Sequence, residues 1–173
     1  CIGGISAVII GFIDDNINIR KTPKFILQFC LAVWILFCFK GGYLITIDRI
    51  PVWFSLFITI ISLVWLMNLY NFMDGVDGMA ISGSISISGF LLLVLLITNG
   101  PKDLILIFLL LAVCSSAFLV HNWYPAKIFM GDSGSLFLGY IFGALIIKTT
   151  LTGDISFWTW LIVLGYFVAD TTT

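Results

Sequence analysis

Val52-Trp-Phe-Ser-Leu-Phe-Ile-Thr-Ile-Ile-Ser-Leu-Val-Trp-Leu-Met-Asn68-Leu-Tyr-Asn71-Phe-Met-Asp74-Gly75-Val-Asp77-Gly78 decides the fold. From Val52 to Leu69 no side chain carries a charge. That length meets the roughly 20 mostly apolar residues a helix needs to cross the hydrocarbon core of a bilayer, and Pro51 before it suits a first helical turn. Asn68, Asn71, Asp74 and Asp77 then recur every three residues, along one drifting face of a helix. Gly75 and Gly78 permit a sharp break and the close approach of a ligand to backbone. Amides and carboxylates emerging from an uncharged span are costly without partners and point to function by default. A glycine turn with Asx caps would explain Asp-Gly, but not two asparagines still inside the apolar run.

The rest of the 173 residues has the same character. Apolar residues make up 61% and charged residues 10%, with mean hydropathy +1.17, against about 45–50% and about 25% in soluble domains. Eight basic residues and nine acids, all of them aspartates, cannot cover a soluble globule. This excludes a water-soluble enzyme and a disordered chain. A net charge of −1 supplies no field for nucleic acid. Further apolar stretches run over Ile2–Ile13, Phe25–Phe39 (interrupted only by Gln28), Ile81–Ile97, Leu104–Val120, Leu136–Ile147 and Ile155–Ala169. The reading is an all-α, polytopic transmembrane helical bundle of about six complete or near-complete spans plus a truncated first span. A single transmembrane domain over residues 1–173, with no second soluble domain, is expected. The chain opens on Cys1 and stops at Thr173 directly after an apolar run, so a fragment cut at both ends is expected. Cys30, Cys38 and Cys114 lie inside apolar runs, are spaced for neither a disulfide framework nor zinc, and are expected as buried inert thiols.

Counting spans puts Asp14, Asp15, Asp74, Asp77, Asp132 and Asp170 on one membrane side and only Asp48, Asp103 and Asp154 on the other. Lys and Arg divide evenly between the sides, so the positive-inside rule assigns the cytoplasm only through the Arg20-Lys21…Lys24 cluster. Two more loops on the acid-rich side carry chemistry. In Gly11-Phe-Ile-Asp14-Asp15…Arg20-Lys21-Thr-Pro-Lys24, adjacent carboxylates repel unless a cation, proton or basic group stands between them. A solvated helix end is the bland alternative. In His121-Asn122-Trp-Tyr-Pro125-Ala-Lys127-Ile-Phe129-Met-Gly131-Asp132-Ser133-Gly134-Ser135, a hard oxygen ligand and exposed N–H groups at a helix start suit phosphate and Mg²⁺. A plain N-cap at Asp132 is the ordinary alternative.

Together, Asp14-Asp15, Asn68-x-x-Asn71-x-x-Asp74-Gly-x-Asp77-Gly and Pro125-Ala-Lys-x-Phe129-Met-Gly-Asp132-Ser-Gly-Ser135 resemble the polyprenyl-phosphate N-acetylhexosamine-1-phosphate transferases. This is the glycosyltransferase family 4 group that includes phospho-muramoyl-pentapeptide transferase. The Asn-Trp-Tyr-Pro-Ala-Lys form looks most like its O-antigen-initiating branch. The resemblance implies an Mg²⁺-dependent membrane transferase (Mn²⁺ an alternative ion) that moves a sugar 1-phosphate from a UDP-N-acetylhexosamine to polyprenyl phosphate and releases UMP. It implies a role at the start of lipopolysaccharide or other cell-envelope synthesis, in the bacterial inner membrane, with the site facing the cytoplasm. A homodimer is one assembly it admits, and no nucleic acid is a partner.

By the same resemblance the catalytic set is Asp14, Asp15 and Asp74, with Asp14 expected as the base toward the lipid phosphate and Asp15 supporting it. Asn71 and Asp132 would hold the metal. Lys24, Asn68, Gly75, Asp77 and Phe129 would bind substrate, Phe129 by stacking on uracil and Lys24 by balancing phosphate charge. The family's His/Arg-containing loop lies beyond residue 173, so the fragment alone is expected to lack activity. Phospho-muramoyl-pentapeptide transfer is the alternative of like chemistry. A cation-coupled transporter is the alternative of another class, disfavoured by the lack of inverted repeats.

Overall fold

A computed structural model of the chain describes residues 2–17, 19–42 and 51–172. Each apolar stretch is an α-helix, the form that pairs every backbone N–H and C=O within its own segment where no water is at hand. The helices are α1 (Ile2–Ile17), α2 (Lys21–Cys38), α3 (Val52–Met73), α4 (Met79–Ile97), α5 (Lys102–Asn122), α6 (Gly131–Thr152) and α7 (Phe157–Thr172), and no strand occurs among the described residues. Helices α2 to α6 are long and apolar enough to cross a membrane, while α1 and α7 have 16 residues each. Large apolar side chains such as Phe37, Ile97, Val120 and Ile162 stand outward, as a lipid-facing surface requires.

The helices extend beyond the apolar stretches and take the polar residues with them. Asp14 and Asp15 lie on the last turn of α1, Lys24 on the first turn of α2, Asn68 and Asn71 on α3, and Asp132 on the first turn of α6. Residues expected on loops are therefore held by helix ends. The cysteine expectation is corrected: Cys30, Cys38 and Cys114 are free but exposed on the helix surfaces. In a membrane helix an apolar run faces lipid as readily as it faces protein, so hydropathy does not tell the two faces apart. Cys1, Asp48 and Arg49 lie outside the described residues.

The chain divides into two compact units, residues 1–72 with 131–157, and residues 73–130 with 158–173. In the first, α6 is the axis: it packs against α1 and α2, and Tyr70 of α3 stacks on Phe142 of α6 with centroids 5.5 Å apart. In the second, α4 packs along α5, and Phe108 of α5 meets Trp160 of α7 at 6.1 Å. The small residues of α4 serve this packing. Gly83, Ser84 and Ser88 are buried, and the two hydroxyls donate back to the Ala80 and Ser84 carbonyls, so no polar group is stranded.

Two glycines set how closely α6 is approached. A Cβ on Gly11 would overlap the backbone of Asp132 and Ser133, and one on Gly139 would lie 2.6 Å from Met67 Cα. The neighbours are main chain and cannot swing aside. Gly11→Ala is therefore expected to push α1 off the start of α6 and to destabilise the protein by about 1–3 kcal/mol, the usual cost of overpacking. Gly89→Ala, whose Cβ meets nothing, should leave stability unchanged or raised. Thermal unfolding of both variants in detergent checks this, and equal melting temperatures would contradict it.

Candidate active site

Four helices of the first unit bring polar residues at their ends to one point. Lys24 lies at the N-terminus of α2, where the helix dipole disfavours a cation, and no acidic residue occupies that first turn. Its compensation comes from other helices. The ammonium lies 2.7 Å from Asp14 Oδ2 on α1 and 2.6 Å from Asp132 Oδ2 on α6. Asp14 is 5% exposed, and its Oδ1 accepts the Ile19 N–H at 2.7 Å. Asn71, near the end of α3, donates its amide to Asp132 Oδ1 and to Ser135 Oγ at 3.1 Å. Burial works to raise the Asp14 carboxyl. Hydrogen bonding with Asp132, the Lys24 ammonium and the Ile19 N–H outweigh it, and the group is held below its ordinary value.

Asp15 does different work from its neighbour, as consecutive helical residues about 100° apart must. Its carboxylate accepts Asp132 N–H at 2.8 Å, Ser133 N–H at 3.2 Å and the Ser133 hydroxyl at 2.7 Å. A side chain of α1 thus caps the N-terminus of α6. Gly131, which leads into α6, has φ +66, and a Cβ there would press on the Asp15 carboxylate. Partial burial works to raise the Asp15 carboxyl, but the Ser133 hydroxyl and the two N–H groups outweigh it and hold it low. In the structure Lys24 holds Asp14, and Asp15 is occupied with the cap.

Asn68 lies one turn deeper on α3. Its amide exchanges hydrogen bonds with Gln28 of α2, so it belongs to a helix–helix contact. The carboxylates of Asp14, Asp15 and Asp132 with one ammonium leave a formal charge of −2 at this point. The donors fit a hard divalent ion. Asp14 and Asp132 already gather around one cation, and a half-turn of the Asn71 amide, whose oxygen and nitrogen are an assignment, would add a third oxygen. No group of three or more His, Cys, Asp or Glu with metal-holding arrangement exists among the described residues.

Asp74, Gly75, Asp77 and Phe129 belong to the second unit. Asp74 is half-buried just past α3 and Gly75 is exposed in the turn that follows. Asp77 Oδ2 accepts the Ala126 N–H at 3.0 Å. Asn122, 2% exposed, ties the same two segments together: its Oδ1 accepts Gly78 N–H at 3.1 Å and its Nδ2 donates to Ile128 O at 2.9 Å. Phe129 follows directly and is 58% exposed, free of the packing that a core aromatic would have. Sequence reasoning quoted Asn122 but gave it no role, and noticed Gln28 only as an interruption. A polar residue with no chemistry in view, set within or at the end of an apolar run, was the available signal for both.

The sequence profile of the family described as Glycosyl transferase family 4 matches residues 1–150. The chain is 38% identical over 97% of its length to a phospho-N-acetylmuramoyl-pentapeptide-transferase of Prochlorococcus marinus (strain MIT 9515), covering 50% of that protein. It is 35% identical over 95% of its length to the transferase of that name from Streptococcus pneumoniae serotype 2, covering 52% of it. It is 32% identical over 80% of its length to a probable undecaprenyl-phosphate N-acetylglucosaminyl 1-phosphate transferase of Bacillus subtilis (strain 168), covering 40% of it. The chain thus spans about half the length, or less, of these curated relatives.

The lowered Asp15 carboxyl makes a pH prediction. The unfolded chain takes up the proton first on acidification, so the cap's contribution is complete above the ordinary aspartate value and is lost as pH falls through the lower folded one. Asp15→Ala should cost about 1 kcal/mol at neutral pH, the usual worth of a helix cap. The gap in melting temperature from the parent should close as the pH drops below the carboxylate range. A gap independent of pH would contradict the cap.

Proposed function

The chain belongs to glycosyl transferase family 4, and from that membership we propose that it carries part of the active centre of a polyprenyl-phosphate sugar-1-phosphate transferase. The donor is a UDP-N-acetylhexosamine-type sugar and the acceptor is a polyprenyl phosphate. An oxygen of the lipid phosphate attacks the sugar-bearing β-phosphorus, the bond from that phosphorus to UMP breaks, and a sugar–pyrophosphate–lipid forms. The observation that carries the reading is the Lys24–Asp14–Asp132–Asn71 cluster. It combines a cation for a phosphate with hard oxygens for a metal at the polar ends of membrane helices.

Each residue has a task in this proposal. Asn71 and Asp132, with Asp14 beside them, hold Mg²⁺, which when bound neutralises the diphosphate and makes UMP a better leaving group. Lys24 receives the lipid phosphate. A phosphate monoester has its second pKa near 6 and is mostly dianionic at neutral pH without help. A dianionic acceptor needs no base, so in this proposal Asp14, expected as the base, acts electrostatically by keeping Lys24 in place. Asp15 acts through its cap on α6. The roles of Asp74 toward the reacting phosphate and of Gly75, Asp77 and Phe129 toward the uridine rest on the family resemblance alone. A groove of about 410 Å³ lined by Phe25, Phe29, Phe57, Ile60, Ile61 and Trp65 starts one residue from Lys24 and offers the isoprenoid tail an apolar bed.

UDP-sugars are cytosolic, so the site faces the cytoplasm of a bacterial inner membrane. The Asn-Trp-Tyr-Pro-Ala-Lys form supports an O-antigen or related lipopolysaccharide-initiating enzyme. The second reading, a phospho-N-acetylmuramoyl-pentapeptide transferase, is favoured by the 38% identity over 97% of the chain to a protein of that name. Full-length protein assayed with each UDP-sugar and polyprenyl phosphate separates the two.

In that assay Asp132→Asn should abolish turnover while the protein still inserts and folds. Phe129→Ala should raise KM for the UDP-sugar by the equivalent of about 1–3 kcal/mol of lost stacking, with Phe129→Trp better tolerated. Near-normal turnover in Asp132→Asn would overturn the proposal, and an unchanged KM in Phe129→Ala would remove the stacking role.

A further inference from the structure

One turn deeper than the carboxylate cluster, the first unit joins the motif residue Asn68 to Gln28, which lies in none of the motifs. Gln28 is the one polar residue in the run Phe25–Phe39 and is 0% exposed. It meets Asn68 head to tail: Asn68 Nδ2 donates to Gln28 Oε1 at 2.7 Å, and Gln28 Nε2 donates to Asn68 Oδ1 at 3.3 Å. The Asn68 amide also donates to Val64 O at 2.8 Å, so both of its N–H groups are engaged. Lys24 precedes Gln28 by four residues and Asn71 follows Asn68 by three, the spacings that place side chains on one helix face. Lys24 and Asn71 both end on Asp132.

We propose that the Gln28–Asn68 amide pair is the positioning element of the site, fixing the rotation and depth of α2 against α3 so that Lys24 and Asn71 arrive together at Asp132. Beside the pair, Phe25, Phe29, Phe57, Ile60 and Ile61 of α2 and α3 line an open apolar groove and offer no directional contact that would fix a register. In hydrocarbon, apolar faces associate through packing without a hydrophobic drive toward one register. The amide pair supplies the missing register. A slip of one residue moves a side chain by 1.5 Å along the axis and 100° around it, which breaks both hydrogen bonds and strands two amides in an apolar setting. The same slip would carry Lys24 away from its carboxylates.

The test uses full-length protein in detergent, with Gln28→Leu, the double variant Gln28→Leu/Asn68→Leu, and the exchanged pair Gln28→Asn/Asn68→Gln. The readouts are the rate at which an amine-acylating reagent labels Lys24, followed by peptide mass spectrometry, then kcat and KM for the UDP-sugar, and the melting temperature. Gln28→Leu should expose Lys24 to several-fold faster labelling. It should lower kcat by about tenfold or more with KM changed by less than about twofold, since a displacement near 1 Å suffices for such a loss. The double variant, which leaves no orphan amide, should recover the melting temperature without recovering Lys24 protection or kcat. The exchanged pair should restore all three. Where Gln28→Leu does not accumulate, the double variant carries the same readouts.

A lowered melting temperature with unchanged Lys24 labelling and kcat would overturn the proposal and leave a purely structural tie. A raised KM with unchanged labelling in the double variant would also overturn it, in favour of direct substrate contact by Asn68. Only the kinetic arm rests on the transferase reading. An inactive parent enzyme defeats that reading, while the labelling result still decides the amide pair.

Discussion

One ammonium held between two carboxylates organises the first unit. Lys24, Asp14 and Asp132 come from α2, α1 and α6, and each is poorly placed alone. A cation at a helix N-terminus opposes the dipole, and two carboxylates close together repel. Brought together at 2.6–2.7 Å, they cancel one another's cost. Other features of the unit serve the same meeting. Gly11 lets α1 touch the backbone at Asp132 and Ser133. Asp15 caps the helix that carries Asp132, and Asn71 fixes the other oxygen of Asp132.

The charge left over explains what such a cluster is for. Three carboxylates against one lysine make a site that repels phosphate until a further cation arrives. The proposed reaction must bring together a lipid phosphate and a nucleotide diphosphate, both anionic. In that proposal a metal held by the carboxylates and the lysine would each serve a separate anion. A site built on helix ends holds this arrangement more rigidly than mobile loops would, which suits chemistry whose main requirement is positioning.

Much of this was legible in the sequence. Seven apolar stretches are seven helices, because length and hydropathy suffice where the solvent is lipid. Asn71 and Asp132, widely separated in the chain, were paired by the family resemblance, and the structure joins them by a hydrogen bond. The helix ends could not be read, because the polar residues that close an apolar run by hydropathy are still helical by hydrogen bonding. The facing of Cys30, Cys38 and Cys114 was hidden because apolar residues are compatible with both lipid and protein contact. The division of labour between Asp14 and Asp15 depends on the direction of two bonds 100° apart, which composition does not encode. Gln28 and Asn122 carry no chemistry of their own, and only their partners reveal what they do.

The central claim is that Lys24 and Asp132 act as one device. Transfer rates of the full-length enzyme carrying Lys24→Met, Asp132→Asn and both substitutions test it most directly. Residues that act as a unit are strongly non-additive, so the double variant should be no slower than the slower single variant. Rate losses that multiply in the double variant would mean that the two residues work independently, and would contradict the account.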